Sequence, residues 1–115
     1  MVEDNALLLG LYQAAFEKAG FTVVCAHDGK TGLAIAKEKV PDGIILDLLM
    51  PGTDGFHFLE ELKKDPKTSG IKTIVLTVVK KEEELERAKN LGAIECLVKS
   101  DLRLAEIIER VRAHF

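Results

Sequence analysis

The chain predicts an α/β protein built on a doubly wound parallel sheet, and three observations carry that reading. Short apolar runs alternate with amphipathic helical stretches along the whole length, the pattern that gives parallel strands joined by right-handed helical crossovers, with helices on both faces. Runs such as Gly43-Ile44-Ile45-Leu46 show no polar alternation, as expected of a strand buried on both faces. Finally, Asp47, Thr77 and Lys99 stand at the carboxyl ends of such runs, where open α/β sheets place their ligand crevice.

Composition bounds the rest. With 115 residues the chain makes one domain, 1–115, of which 47% is hydrophobic and 30% charged, enough apolar material to exclude wholesale disorder. Sixteen Lys and Arg oppose 19 Asp and Glu for a net charge of −3. That balance gives no basis for nucleic-acid contact, which needs concentrated positive charge. No apolar stretch approaches a membrane span, and no signal peptide precedes the first charged residues. Cys25 and Cys96 lack metal-ligand spacing and read as buried reduced thiols. A cytoplasmic location follows.

Each element has its own signal. Asn5 caps a helix to about Lys18, with Leu8, Tyr12, Ala15 and Ala19 on one face and Gly20 as the stop. Phe21 to Ala26 is a strand, and His27-Asp28-Gly29 its turn. Thr31 to Lys39 forms the second helix, closed by Val40-Pro41. The strand ending at Asp47 leads into a Pro51-Gly52 turn, and a third helix runs from about Asp54 to Lys64, stopping before Pro66. Ile71 to Thr77 is an apolar strand. The fourth helix begins near Lys81 with Glu82, Glu83 and Glu84 in its first turn, a charge order suited to the helix dipole. Gly92 ends it. Ile94 to Val98 forms a strand, and Asp101 opens a last helix with Leu104, Ile108, Val111 and Phe115 inward.

One strand is nearly missing. The rhythm puts a strand directly before Glu3-Asp4, where only Met1 and Val2 remain. In a doubly wound sheet that strand is central, and its loss leaves ladder groups unpaired at about 1–3 kcal/mol each if buried. Met1 is therefore expected to be an internal strand residue of a sequence short at its start; a swapped or rearranged sheet edge is the alternative.

Folding this pattern gathers Glu3, Asp4, Asp47, Thr77 and Lys99 at one sheet edge. Three carboxylates in one crevice repel each other unless a cation neutralises them. A hard ion such as Mg²⁺ suits an all-oxygen site. Lys99 and Thr77 supply donors for phosphoryl oxygens, and a carboxylate beside such an ion can attack phosphorus to form an acyl phosphate.

The segments Val2-Glu3-Asp4-Asn5, Pro41-Asp42-Gly43-Ile44-Ile45-Leu46-Asp47, Met50-Pro51-Gly52-Thr53-Asp54-Gly55, Val75-Leu76-Thr77, Leu91-Gly92-Ala93 and Val98-Lys99 together resemble the response-regulator receiver domain of two-component signalling. The resemblance covers essentially the whole chain. It implies a flavodoxin-like five-stranded parallel sheet of order 2-1-3-4-5, its first strand truncated here. It implies that Asp47 is the phosphoacceptor for a sensor histidine kinase or phosphotransfer protein. Glu3, Asp4, Asp47 and the backbone carbonyl of Leu49 would hold Mg²⁺, and Thr77 and Lys99 would bind the phosphoryl group. It also implies a homodimer or output contact through the 81–115 face.

The chain departs from the family pattern in three places. Cys96 stands where a Tyr or Phe gate is frequent, so a signal must travel through backbone shifts of the loops after Thr77 and Val98. Ser100 replaces a proline usually preceded by a cis peptide, and cis geometry before a non-proline costs about 2.5–4 kcal/mol. Leu49, Val78 and Val79 make an apolar rim that restricts donor entry and hydrolytic water, so phosphorylation by small donors and spontaneous dephosphorylation should both be slow.

Blander readings exist for each residue alone. Asp47 could cap a turn, Glu3 and Asp4 could be solvated acids opening a helix, and Thr77 and Lys99 could be ordinary strand-end residues; joint placement favours the site. His27, His57 and His114 read as surface residues without a supporting partner, and Glu82–Glu86 as a solvated face. Two other functions compete with the phosphorylatable switch. A degenerate receiver would bind a partner without phosphorylation. An Asp-nucleophile phosphohydrolase resembling haloacid dehalogenases would need a second Asp where Leu49 stands, so turnover of external substrates is not expected.

Overall fold

A computed structural model describes residues 1–50, 53–78 and 81–115. The expected Pro51-Gly52 turn and the rim residue Val79 lie outside the described residues. The elements are α1 (Ala6–Lys18), α2 (Gly29–Lys39), β1 (Gly43–Leu46), β2 (Leu49–Met50), β3 (Thr53–Asp54), α3 (Gly55–Lys64), β4 (Lys72–Thr77), α4 (Glu82–Asn90), β5 (Ala93–Val98), a 3₁₀ turn over Lys99–Asp101, and α5 (Leu104–Arg112). No helix among the described residues is long and apolar enough to cross a membrane.

Local chemistry explains most boundaries. The Asn5, Asp28 and Asp54 side chains accept hydrogen bonds from the backbone N–H groups of Leu8, Thr31 and Phe56 at 3.0, 2.7 and 2.9 Å, each cap worth about 1 kcal/mol. At the other end of α3, the buried Thr68 hydroxyl donates to the Leu62 carbonyl at 2.7 Å. The last helix starts later than expected. Lys99–Asp101 forms a 3₁₀ turn instead, and the Glu106 carboxylate accepts from the Arg103 N–H at 3.1 Å, half of a capping box.

β1, β4 and β5 form a parallel sheet in the order β1-β4-β5, with Leu46 opposite Val75 and Thr77 opposite Val98. Beyond β1 the sheet continues through single bridges: Val2 pairs in parallel with both Leu46 and Ala26. Spatially the order is thus Ala26, Val2, β1, β4, β5, with isolated bridges rather than ladder strands in the first two places. The stretch from Phe21 to Ala26 does not form the expected ladder strand and meets its neighbour through one bridge, Ala26 to Val2. β2 and β3 make a two-residue antiparallel pair after Asp47, which the Pro-Gly signal had indicated only as a turn.

Helices cover both faces. On one, Ala36, Phe58, Leu59, Leu62 and Ala88 pack on Val2, Ile44, Leu46 and Val75. On the other, Tyr12, Phe16, Ile107 and Val111 pack on Ile74, Leu76 and Leu97. The inward stripes of α1 and α5 are centred one residue from expectation. Leu9, Tyr12 and Phe16 are buried in α1, while Leu8, Ala15 and Ala19 are half-buried; Ile107 and Val111 are buried in α5, and Phe115 is exposed. β1 also departs from burial on both faces: Ile44 and Leu46 are buried, Gly43 and Ile45 only partly.

Candidate functional site

The carboxyl edge of the sheet collects the site. Glu3 and Asp4 follow the Val2 bridge, Asp47 follows β1, Thr77 ends β4 and Lys99 follows β5. The in-register pairing of Leu46 with Val75 and of Thr77 with Val98 brings these ends together. Short loops beyond rigid strands fix the side chains better than a long loop would.

Glu3, Asp47 and Thr77 are buried, and Asp4 is exposed at the mouth. Carboxylate oxygens of Glu3, Asp4 and Asp47 lie within 4.8 Å of one another. Lys99 reaches the same cluster, its Nζ donating to Glu3 Oε1 at 2.8 Å and to Asp47 Oδ2 at 3.3 Å. The second Glu3 oxygen accepts from the Asp4 N–H at 3.1 Å.

The electrostatics follow from this crowding. Burial pushes the Glu3 carboxyl above its ordinary value, helped by the adjoining Asp47 and opposed by Lys99. Burial alone would lower the Lys99 ammonium, but Glu3 and Asp47 outweigh it and hold Lys99 above its usual range. Among the described residues, one ammonium faces three carboxyl groups, a crowding of negative charge that a cation would relieve. Ligand oxygens around one Mg²⁺ stand at most about 4.2 Å apart, and around Ca²⁺ at most about 5.2 Å. The observed spacing therefore fits a hard divalent ion, with a contraction of a few tenths of an ångström for the smaller one. The donor set and the ion agree.

Leu49 opens β2 two residues past Asp47, next to the site in sequence. Val78 is exposed just beyond Thr77. The Lys99–Ser100 peptide is trans. Cys96 is half-buried, and its Sγ lies 3.6 Å from the Leu85 carbonyl of α4. Both cysteines are free. His27 and His57 are exposed, as expected. His114 is not a loose end: its Nε2 lies 2.5 Å from Glu95 Oε2, and its carbonyl accepts from Lys72 Nζ at 2.7 Å.

Two contributors were not legible as such. Tyr12 reads as a core residue, yet its buried hydroxyl feels the charges of Lys99, Glu3 and Asp47; burial above all raises it. Gly55 reads as a turn residue, yet a Cβ there would stand 2.8 Å from the Leu48 Cα. Only glycine lets α3 close against the backbone adjoining Asp47.

A family profile described as response regulator receiver domain matches residues 1–112. The chain belongs to the response regulator receiver domain family. It is 34% identical over 99 residues to Protein PilH of Pseudomonas aeruginosa, covering 86% of this chain and 82% of that protein. Some curated relatives are longer, and the chain spans 46% and 49% of two that match over 113 residues. Among solved structures, the Vibrio cholerae chemotaxis protein CheY4 superposes with a TM-score of 0.91 at 25% identity, covering 99% of this chain and 94% of that one. The Mn²⁺-bound form of response regulator Rcp1 gives 0.79 at 26%, covering 97% and 86%. The receiver fold and a role in two-component signalling follow from membership.

Proposed function

We propose that this receiver is a Mg²⁺-dependent phosphorylatable switch in which Asp47 takes a phosphoryl group from the phosphohistidine of a sensor histidine kinase or phosphotransfer protein. The observation that supports it best is the convergence of the Glu3, Asp4 and Asp47 carboxylates, with Lys99 bridging two of them. Glu3, Asp4, Asp47 and the Leu49 carbonyl would hold the cation, an assignment favoured by the Mn²⁺-bound relative. When bound, the ion would neutralise the crowded carboxylates and the charge on phosphoryl oxygens.

The chain's own residues account for the rest. An Asp47 oxygen forms the new O–P bond as the donor's N–P bond breaks, and the bonding pair leaves with the imidazole, which takes up a proton. Lys99, already beside Asp47, supplies an ammonium to the phosphoryl oxygens. Thr77 supplies a hydroxyl from the end of β4. Their rearrangement carries the signal through the loops after Thr77 and Val98, since Cys96 is too small to act as a ring gate. The protein assists its own phosphorylation and dephosphorylation and turns over no external substrate. The 1–115 domain acts in the cytoplasm, in keeping with two free thiols. Its 81–115 face is the surface for an output partner or a second copy, and the domain contacts neither nucleic acid nor membrane.

Intact mass after incubation with a cognate kinase tests the reading: one phosphoryl group on the parent chain, none on Asp47→Asn. Backbone NMR with Mg²⁺ and beryllofluoride should shift Thr77 and Lys99. A parent chain that gains no phosphoryl mass and shows no such shifts would favour the degenerate receiver.

A further inference from the structure

Among the described residues, α4 is the α-helix with the fewest buried side chains: it buries Ala88, where the others bury two or more. Its N-cap, Lys81, makes no side-chain cap hydrogen bond, unlike Asn5, Asp28 and Asp54. At Cys96, β5 offers it a weak sulfur contact, with Sγ 3.6 Å from the Leu85 carbonyl. An element with few buried apolar contacts shifts at low cost.

On its other side α4 is held by a stack. The Arg87 guanidinium lies 4.2 Å from the centroid of the Phe56 ring, the geometry of a cation–π contact. Glu83 and Glu84 stand one turn earlier on α4, yet among the described residues Arg87 joins no ion pair. The guanidinium is committed to the ring face. Phe56 is in turn tied to the segment after Asp47. Its N–H donates to Asp54 Oδ1 at 2.9 Å, and Asp54 stands opposite Leu49 in the β2–β3 pair. Gly55 rests against the backbone of the buried Leu48, where a Cβ would stand 2.8 Å from Cα. Beyond α3, the Lys63 stem takes the space that a side chain at Gly92 would need. The end of α4 is thus pinned at Gly92, and its middle is steered at Arg87.

We infer that Arg87 is a positioning residue for the Asp47 site: its stack on Phe56 ties α4 to the β2–β3 pair, so that a phosphoryl group on Asp47 displaces α4 and α4 in turn tunes the site. The inference rests on the switch reading above. It adds a route through the segment after Asp47 to those after Thr77 and Val98. Coupling between two positions is reciprocal, so both ends are open to measurement. A tyrosine ring at position 56 keeps the π face that the guanidinium needs, and an aliphatic side chain does not.

The test is backbone NMR and amide exchange on the 115-residue chain, titrated with beryllofluoride in Mg²⁺. In the parent, loading should shift Thr77 and Lys99 and change exchange at Leu85 and Ala88 several-fold. In Arg87→Gln and in Phe56→Leu the Thr77 and Lys99 shifts should remain while the response at Leu85 and Ala88 is largely lost. The beryllofluoride midpoint should move about two- to fivefold in each, the size of one exposed cation–π contact. The double variant should move it no further than either single one. Phe56→Tyr should respond like the parent, and so should Glu86→Gln, an exposed position beside Arg87. The inference is overturned if Arg87→Gln or Phe56→Leu keeps the full α4 response, or if the two effects simply add. A parent without Thr77 and Lys99 shifts would instead overturn the switch reading, and this inference with it.

Discussion

Lys99 and Glu3, ninety-six positions apart, form an ion pair at 2.8 Å with side chains only 13% and 2% exposed. The same ammonium reaches Asp47 at 3.3 Å, so one lysine holds together the first and third segments of the sheet edge. A buried pair of this kind costs desolvation to form, yet losing one partner leaves an uncompensated charge.

Lys99→Met should therefore destabilise the chain by about 2–4 kcal/mol in chelator, within the range for breaking a buried pair. Adding Mg²⁺ should restore more stability to this variant than to the parent, because the three carboxylates lose their competing cation. Urea denaturation with and without Mg²⁺ measures both. Equal Mg²⁺ stabilisation of the two chains would mean the carboxylates are not the metal site.

Gly55→Ala puts a methyl group 2.8 Å from the Leu48 Cα, and backbone cannot yield cheaply. We expect a loss of about 1–3 kcal/mol from overpacking and, more tellingly, slower phosphorylation of Asp47 in the still-folded fraction. An alanine control at the open Gly10 should leave the phosphorylation rate unchanged.

Glu95 links β5 to the C-terminal helix through Arg110 and His114. Burial pushes its carboxyl up, but these hydrogen bonds and charges win, and it sits below its ordinary value. A depressed folded value means the stabilisation is complete above the unfolded value of about 4.3 and disappears as pH falls through the folded one. The stability gap between parent and Glu95→Gln should be full at pH 7 and close in acid below about pH 4. A gap that persists there would assign it to packing.

Val40 ends α2 in the left-handed region, with φ 41° and ψ 67°. A β-branched residue is strained there, at about 1–2 kcal/mol, while glycine gives back part of the gain as unfolded-state entropy. Val40→Gly should stabilise by about 0.5–1 kcal/mol, read as a higher urea midpoint at unchanged slope.

The apolar Val78 side chain is 56% exposed beside Thr77. If it screens the acyl phosphate from water, the phosphoryl group on Asp47 should persist well beyond seconds in Mg²⁺ buffer, and Val78→Ala should shorten its life. A lifetime of seconds in the parent would remove the screening role.

Asp47, Thr77 and Lys99 were legible because each ends an apolar run, and a parallel sheet leaves strand ends nowhere else to go. Glu3 and Asp4 were legible from their place in the alternation, although their strand is only a stub. The Leu8-centred stripe on α1 was off by one residue, since adjacent leucines at 7, 8 and 9 satisfy overlapping helical faces. The 3₁₀ turn at Lys99–Asp101 was hidden because Asp101 offers the same capping chemistry as a true N-cap.

Local chemistry alone determined the alternation, the caps at Asn5, Asp28 and Asp54, and the set of polar residues at strand ends, because these depend on neighbours in the chain. Tertiary structure alone decided that Lys99 pairs with Glu3 and that Gly55 yields to Leu48. Those outcomes turn on which segments meet across the sheet, and no single segment contains its partner's coordinates.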